Sequence, residues 1–352
     1  MKTETLAAVT RSGYVESVHY GYICVVDSQG RVIYSKGDID TRIFFRSSAK
    51  PIQVIPFIHS GAYKVMGFTP KEIALACASH TGERMHQETV LGILNRLGLN
   101  QTHLHCGIMV PYNEEENKRL IKMGKEPSTL HASCSGKHAA ILAYSIYKGA
   151  DISNYEDISH PVQQEIIRTI AEFTDEDVES IPLGTDGCGL PIFMIPIKKI
   201  ALSYARIAKF AQDKSSKYHE ACKVVFDAMN QHPEMVAGTG EFCTELMGAT
   251  KGKLIGKVGA EAVYCIGIKK DNLGVCVKIA DGSERAVYPV VIEVLLKLGI
   301  LDKSEYEKLN NWHKSKLMNQ LKEHIGYIVP VFNLDCQVHP GMEISQFRHM
   351  TM

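Results

Sequence analysis

Strand-like segments lie near both ends of this 352-residue chain, and helix-like segments fill the middle. Runs of β-branched and aromatic residues predict strands at 6–10, 20–26 and 31–34 and, much later in the chain, at 254–257, 263–268, 275–279 and 327–332. The turn Asp27-Ser28-Gln29-Gly30 is typical of a hairpin, which makes its two strands antiparallel. We therefore predict an α/β fold with an antiparallel sheet built from both chain ends.

Apolar residues at helical spacing predict helices at 138–147, 161–173, 201–211, 221–229 and 289–298. Ser159 is a plausible N-cap for the second of these. We expect a sheet-containing α/β domain formed by residues 1–56 and 251–352, with a mainly helical domain, residues 57–250, inserted between them. The cleft between two such domains is the default position of a small-molecule site.

The charge balance excludes several classes of partner. Lys and Arg together number 39, as do Asp and Glu, so the chain lacks the basic footprint expected for nucleic acid or an anionic membrane. The longest apolar stretch, 287–301, is interrupted by Glu293 and Lys297, so nothing is expected to span a bilayer. The first residues lack a signal-peptide core, which predicts a cytoplasmic protein with reduced cysteines.

A serine and a lysine three residues apart suggest nucleophilic chemistry. Ser47 and Lys50 would share one face of a helix. A serine hydroxyl needs a base, and lysine can serve if burial or a neighbouring positive charge, such as that of Arg46, lowers its pKa. A helix cap followed by a surface lysine is the alternative interpretation.

Two further positions fit the same chemistry. Lys257, in a Lys-x-Gly segment at the end of a predicted strand, completes a Ser-x-x-Lys plus Lys-x-Gly layout found in penicillin-recognising serine enzymes. Ser79 lies in the polar run Ser-His-Thr-Gly-Glu after an apolar helical segment. A solvent-facing strand lysine and a helix C-terminal turn, with Gly82 left-handed, are the respective alternatives.

Cysteines recur in two loops that are distant in sequence. Cys134 and Lys137 precede a predicted helix, and Cys188 lies in the glycine-rich segment 184–189. Two thiolates and one nitrogen ligand would suit zinc with an open fourth position. Buried structural cysteines are the alternative interpretation.

Five segments, in order, resemble the rhizobial-type L-asparaginases, the thermolabile asparaginase II class. They are RSSAKP at 46–51, ASHTGE at 78–83, CSGKH at 134–138, DGCG at 186–189 and KVGAE at 257–261. The resemblance covers nearly the whole chain. It implies a fold similar to serine β-lactamases and glutaminases, hydrolysis of L-asparagine to L-aspartate and ammonia, and a homodimer.

The resemblance also implies roles for individual residues. The catalytic serines and lysines match Ser47, Lys50, Ser79 and Lys257; the zinc ligands match Cys134, Lys137 and Cys188; and Arg46, His138 and Asp186 are expected to hold the substrate or order the site. An Asp-Asn pair after a site serine is absent, which argues against β-lactam chemistry. The alternatives are a glutaminase or other serine amidohydrolase, and a non-catalytic zinc- or thiol-dependent amino-acid sensor.

Overall fold

The computed structural model of the protein describes residues 2–334. Its strands are β1 (Glu4–Arg11), β2 (Tyr14–Asp27), β3 (Val32–Lys36), β4 (Arg42–Phe44), β5 (Leu183–Thr185), β6 (Pro191–Pro196), β7 (Leu254–Gly259), β8 (Val263–Ile268), β9 (Leu273–Ile279), β10 (Ser315–Met318) and β11 (His324–Pro330).

The main sheet joins the two ends of the chain. Its strand order is β10-β11-β1-β2-β9-β8-β7, and β3 also pairs with β2. Every pairing is antiparallel; Cys24 of β2, for example, lies opposite Cys276 of β9. The predicted α/β class, with an antiparallel sheet built from both ends and helices inserted between, is confirmed.

Helices occupy most of the region between these strands. They are α1 (Lys50–Gln53), α2 (Ile55–His59), α3 (Ala62–Val65), α4 (Pro70–Ala76), α5 (Arg84–Arg96), α6 (Glu114–Lys122), α7 (Ser135–Tyr147), α8 (Pro161–Thr174), α9 (Ile197–Phe210), α10 (His219–Gln231), α11 (Pro233–Val236), α12 (Phe242–Thr250), α13 (Glu284–Lys297) and α14 (Lys303–His313). Within residues 2–334, no helix is long and apolar enough to cross a membrane.

Glycines in two central strands let α9 pack closely on the main sheet. A Cβ on Gly274 would lie 1.9 Å from the Ala201 carbonyl oxygen, and one on Gly267 would lie 2.8 Å from that of Tyr204. Any larger residue would push the helix away from the sheet. Helix α13 also packs on this sheet, against β11, β1 and β9.

A second, three-stranded antiparallel sheet has the order β4-β6-β5. The sequence patterns did not predict it, because β4 and β5 have three residues each and β6 begins and ends with proline. Strand β4 leads into Arg46 and β5 into Asp186, so their common neighbour β6 brings these two distant segments together.

Three predicted details need correction. His160, rather than Ser159, caps α8, because its ring nitrogen accepts from the Val162 N–H at 3.2 Å. Helix α13 begins at Glu284, five residues before the predicted start, and contains Pro289 in its interior. Strand β11 ends at Pro330, two residues before the predicted end.

The division into domains at residues 56/57 and 250/251 stays a prediction. Residues 335–352, which the predicted α/β domain includes, lie outside the described residues. Helix α9, which packs on the main sheet, comes from the predicted helical domain.

Candidate functional site

Ser79 lies between two buried lysines. The ammonium nitrogens of Lys50 and Lys257 are each 2.9 Å from the Ser79 hydroxyl oxygen. Both lysine side chains are fully buried, whereas Ser79 is partly exposed. Although Ser79 is 29 positions from Lys50 and 178 from Lys257 in the sequence, the three residues form one hydrogen-bonded group that opens towards solvent at the serine.

Separate elements position these side chains. Lys50 is the first residue of α1, Lys257 lies on β7, and Ser79 follows α4. The Ser79 segment is extended, because the N–H groups of Ser79 and Thr81 donate to the carbonyl oxygens of Val236 and Ala237 at 3.0 and 2.8 Å. This pairing holds the serine in place from the side of α11.

The two lysines have different surroundings. Lys50 also donates to the Ala78 carbonyl oxygen and, at 3.2 Å, to the Cys134 sulfur. Among residues 2–334, Lys257 has one further acceptor, the Val258 carbonyl oxygen at 2.8 Å. Burial, with the nearby charge of Lys50 as a second cause, lowers the pKa of Lys257 to about 7. Lys257 can therefore accept a proton near neutral pH.

Ser47 lies in a 3₁₀ turn, Arg46–Ala49, directly before α1. Its side chain is partly exposed, and no residue within 2–334 forms a hydrogen bond with its hydroxyl. The structure thus places the Lys50 ammonium group against Ser79 rather than against Ser47. Ser47 and Lys50 remain adjacent through the backbone, where the Lys50 N–H donates to the Ser47 carbonyl oxygen.

Arg46 connects this turn to the Asp186 loop. Its Nε atom donates to Asp186 Oδ1 at 3.2 Å, and its backbone has a left-handed φ of 51°. A non-glycine residue in this region is strained and persists only where its surroundings impose it. Gly259 provides part of that constraint, because a Cβ there would lie 3.1 Å from the Ser48 nitrogen.

Cys134, Asp186 and Cys188 form a compact group whose sulfur and carboxylate atoms lie within 4.8 Å of one another. A hydrogen bond from Cys188 holds the pKa of Cys134 well below its usual range; burial opposes this, and Lys50 and Lys137 support it. The same hydrogen bond raises the pKa of Cys188. The two shifts have opposite directions, so Cys134 loses its proton more readily than Cys188.

Lys137 is buried beside this group, in the first turn of α7. Burial lowers its pKa, but the two sulfurs and Asp186 outweigh that effect, so the pKa is raised. Two cysteine sulfurs and a carboxylate oxygen are donors that zinc accepts. The residues therefore fit zinc, with Asp186 as an additional candidate ligand; Lys137 would have to lose its proton in order to bind the metal.

His138, also on α7, offers a buried donor. Tyr155 OH accepts from the His105 N–H at 2.7 Å and lies 2.7 Å from His138 Nδ1. Burial, assisted by Lys137, holds the pKa of His138 well below its usual range. In the tautomer in which Tyr155 donates to Nδ1, the neutral ring carries its proton on Nε2, a buried atom without a hydrogen-bond partner in the described chain.

Sequence patterns did not indicate that the loop at 238–240 contacts the segment that follows Ser79. Glu83 accepts from Thr81 Oγ1 at 2.9 Å and from the backbone and hydroxyl of Thr239 at 2.8 Å. Gly238 between them is irreplaceable, since a Cβ would lie 2.2 Å from Thr81 Oγ1. The Gly-Thr-Gly sequence at 238–240 was the available signal, but nothing in it indicated contact with Glu83.

The fold and the site define an α/β protein whose polar centre groups a partly exposed serine with buried lysine and cysteine side chains. The chain belongs to the L-asparaginase II family, whose model matches residues 7–330. It is therefore an asparaginase-type amidohydrolase, and the resemblance noted from the five segments is confirmed.

Two other comparisons give less information. A candidate β-lactamase from Bacteroides dorei DSM 17855 is similar to this chain with a TM-score of 0.40 and 15% sequence identity, over 78% of this chain and 93% of that chain. No curated relative matches the sequence.

Proposed function

We propose that the protein hydrolyses the side-chain amide of L-asparagine, releasing L-aspartate and ammonia, by serine–lysine catalysis. The observation that supports this proposal is the Ser79 hydroxyl, held at 2.9 Å from both Lys50 and Lys257. A serine between two buried lysines serves proton transfer better than it serves stability, because burying two ammonium groups together is costly.

Proton transfer begins at Lys257, whose pKa near 7 leaves it partly neutral. Neutral Lys257 takes the Ser79 hydroxyl proton, and Ser79 takes one from the Lys50 ammonium group. One proton has then moved from Lys50 to Lys257, and Lys50 is a free base. In this scheme Ser79 is a relay.

Ser47 is the proposed nucleophile. Its oxygen attacks the side-chain carbonyl carbon while Lys50 accepts its proton, and Lys50 then returns that proton to the departing ammonia. Water then attacks the resulting aspartyl ester while Lys50 accepts its proton. Lys50 passes that proton to the departing Ser47 oxygen, which restores Ser47. Backbone N–H donors to the oxyanion are each worth about 3 kcal/mol in other enzymes.

Three polar residues near the two serines are the proposed substrate ligands. Arg46 and the Nε2–H of His138 are donors for the carboxylate oxygens of asparagine, and Asp186 is an acceptor for its ammonium group. Arg46 and Asp186 already face each other at 3.2 Å, so opposite charges are available side by side. A zwitterionic substrate matches that arrangement.

Zinc is the proposed metal, with Cys134, Cys188 and Lys137 as the ligands implied by the resemblance and Asp186 as a further candidate. Bound zinc would act as a Lewis acid that orients the α-amino or α-carboxyl group of the substrate. The homodimer and the cytoplasmic location are further parts of the proposal, and sedimentation of the purified protein tests the first of them.

Ammonia release from L-asparagine, measured on the wild-type protein and on Ser47→Ala and Lys50→Met, tests the function. We expect activity in the wild type and losses of several orders of magnitude in both variants. Ser215→Ala, which removes an exposed hydroxyl bonded to Asp213, is the matched control and should keep full activity.

The remaining outcomes separate the alternatives. Comparable ammonia release from L-glutamine would identify a glutaminase, and acylation by a β-lactam would identify a penicillin-interacting enzyme. Inactivity on both amides with zinc supplied would favour an amino-acid sensor. Mass spectrometry of trapped intermediate that finds the aspartyl group on Ser79 alone would contradict the Ser47 assignment and leave the reaction itself standing.

A further inference from the structure

A second cavity lies among the helices, lined by residues that play no part in the proposed reaction. It has a volume of about 260 Å³ and lies between α2, α7, α8 and the start of α10. Pro56, Tyr144 and Tyr218 contribute apolar surface, and Glu165 and Arg168 contribute charge. This volume is slightly below the usual range for drug-sized ligands, so the cavity suits a molecule of amino-acid size.

The charges in this cavity are only partly neutralised. Lys148 pairs with Glu165, and Tyr144 OH donates to the other oxygen of the same carboxylate. Arg168 forms no ion pair or hydrogen bond with any residue between 2 and 334. A carboxylate has about four acceptor positions, so Glu165 can still accept from a ligand.

Glu165 and Arg168 are three residues apart on α8, which places them on one face of the helix. No salt bridge joins them, although such pairs commonly form one. A molecule that carries an ammonium and a carboxylate group on the same carbon atom would satisfy both side chains. The tyrosine rings and Pro56 beside them would contact an apolar or neutral side chain.

We propose that this cavity binds a free, neutral α-amino acid as its zwitterion, with its carboxylate on Arg168 and its ammonium group on Glu165. The site is separate from the Ser79 centre and does not depend on the proposed reaction. Arg168 matches a carboxylate in bidentate geometry, which makes it the main determinant of binding.

Tyr144 lies between this cavity and Lys137, the lysine beside the cysteine group. Its ring lines the cavity and also a void of about 10 Å³, room for about one water molecule, that is lined by Lys137 and Gln53. Gln53 Oε1 is buried there without a hydrogen-bond partner among the described residues. A ligand that shifts Tyr144 would therefore change the packing of Lys137, which lies about two turns away on α7.

Calorimetric titration with L-valine tests the proposal, because L-valine is a neutral zwitterion without a side-chain amide. We expect one equivalent to bind to the wild-type protein and binding at least about tenfold weaker to Arg168→Gln. Arg11→Gln is the matched control, since Arg11 is an exposed arginine paired with Glu16 on the β1–β2 hairpin. It should bind L-valine like the wild type.

Two further probes separate the zwitterion from a simple anion. Isobutyrate carries the carboxylate without the ammonium group, and inorganic phosphate carries charge alone; we expect both to bind at least about tenfold more weakly than L-valine. Equal binding of either probe, no binding of L-valine, or unchanged binding to Arg168→Gln would each overturn the proposal. Each of these measurements detects binding alone, so the test does not require the protein to be catalytically active.

Discussion

At the level of single residues, the charge states of two buried lysines determine what Ser79 can do. Two adjacent ammonium groups in a buried site repel each other, so the second proton binds less readily than the first. Lys50 has three acceptors and Lys257 has two, one of which they share. Burial and the Lys50 charge lower the pKa of Lys257 to about 7, so Lys257 can act as the first base.

The pH dependence of activity follows from that assignment. Neutral Lys257 is the active form, so kcat/KM should fall as pH drops through about 7, the value to which burial and Lys50 lower its pKa. Lys257→Arg, which stays charged, should lose at least about a hundredfold at every pH. Lys270→Arg, an exposed change in the connection between β8 and β9, is the control. A flat profile between about pH 6 and about pH 8 would contradict this role.

Removing the relay hydroxyl should affect turnover more than binding. Ser79→Ala is expected to lower kcat by about 10²–10⁴-fold with little change in KM, because the hydroxyl transfers protons and does not hold the substrate. Ser145→Ala, which removes a buried hydroxyl bonded to Ile141, is the control. A rise in KM with kcat unchanged would show that Ser79 binds the substrate instead.

At the level of elements, sequence patterns predicted most of the long segments, with α5 and α14 as exceptions, and missed the short ones. Strand β8 was predicted with its observed ends, and α8 within one residue, because many residues contribute to each pattern. The three-residue strands β4 and β5 carry too little periodicity to be recognised, although they bring Arg46 to Asp186. Local patterns also cannot reveal the partners of Lys50, because Ser79 and Cys134 are 29 and 84 residues away in the sequence.

The contact between β7 and the turn at Arg46–Ala49 should be sensitive to a single methyl group. In Gly259→Ala the new Cβ would lie 3.1 Å from the Ser48 nitrogen and 3.2 Å from the Phe45 carbonyl oxygen, so the turn must move by a few tenths of an ångström. We expect kcat to fall at least about tenfold, because displacements of this kind misplace reacting groups.

The control for that change is Gly248→Ala in α12, where a Cβ meets no atom within 4 Å. It should leave activity unchanged and stabilise the helix by up to about 1 kcal/mol. Thermal unfolding measured on both variants separates a local effect on the turn from general destabilisation. Equal activity of the two variants would show that the turn does not need its observed position.

At the level of the whole molecule, the cysteine group ties together two parts of the chain that are far apart in sequence. Cys134 lies directly before α7, and Cys188 follows β5 in the small sheet. Their sulfurs and the Asp186 carboxylate converge in a buried space beside two lysines, Lys50 and Lys137. Unlike charges lie side by side there, and a divalent cation that bound to these groups would replace protons on Cys188 and Lys137.

Zinc should therefore stabilise the folded protein by mass action. A ligand that binds only the folded state at 100 times its Kd adds about 2.7 kcal/mol to the free energy of unfolding, which corresponds to a rise of several degrees in Tm. Cys188→Ser should remove most of that rise, because a hydroxyl is a poor substitute for a thiolate ligand. Magnesium should have no effect, since it prefers oxygen ligands.

Cys106→Ser distinguishes specific ligation from general thiol binding. Cys106 is buried near Cys134 but donates to the Thr129 carbonyl oxygen and lies outside the compact group. We expect this variant to keep the zinc-dependent rise in Tm. If Cys106→Ser and Cys188→Ser lose it equally, the metal is held by a different set of sulfurs; if neither loses it, zinc binds elsewhere. Affinity should also fall as pH decreases, because zinc must displace protons from Cys188 and Lys137 before it can bind.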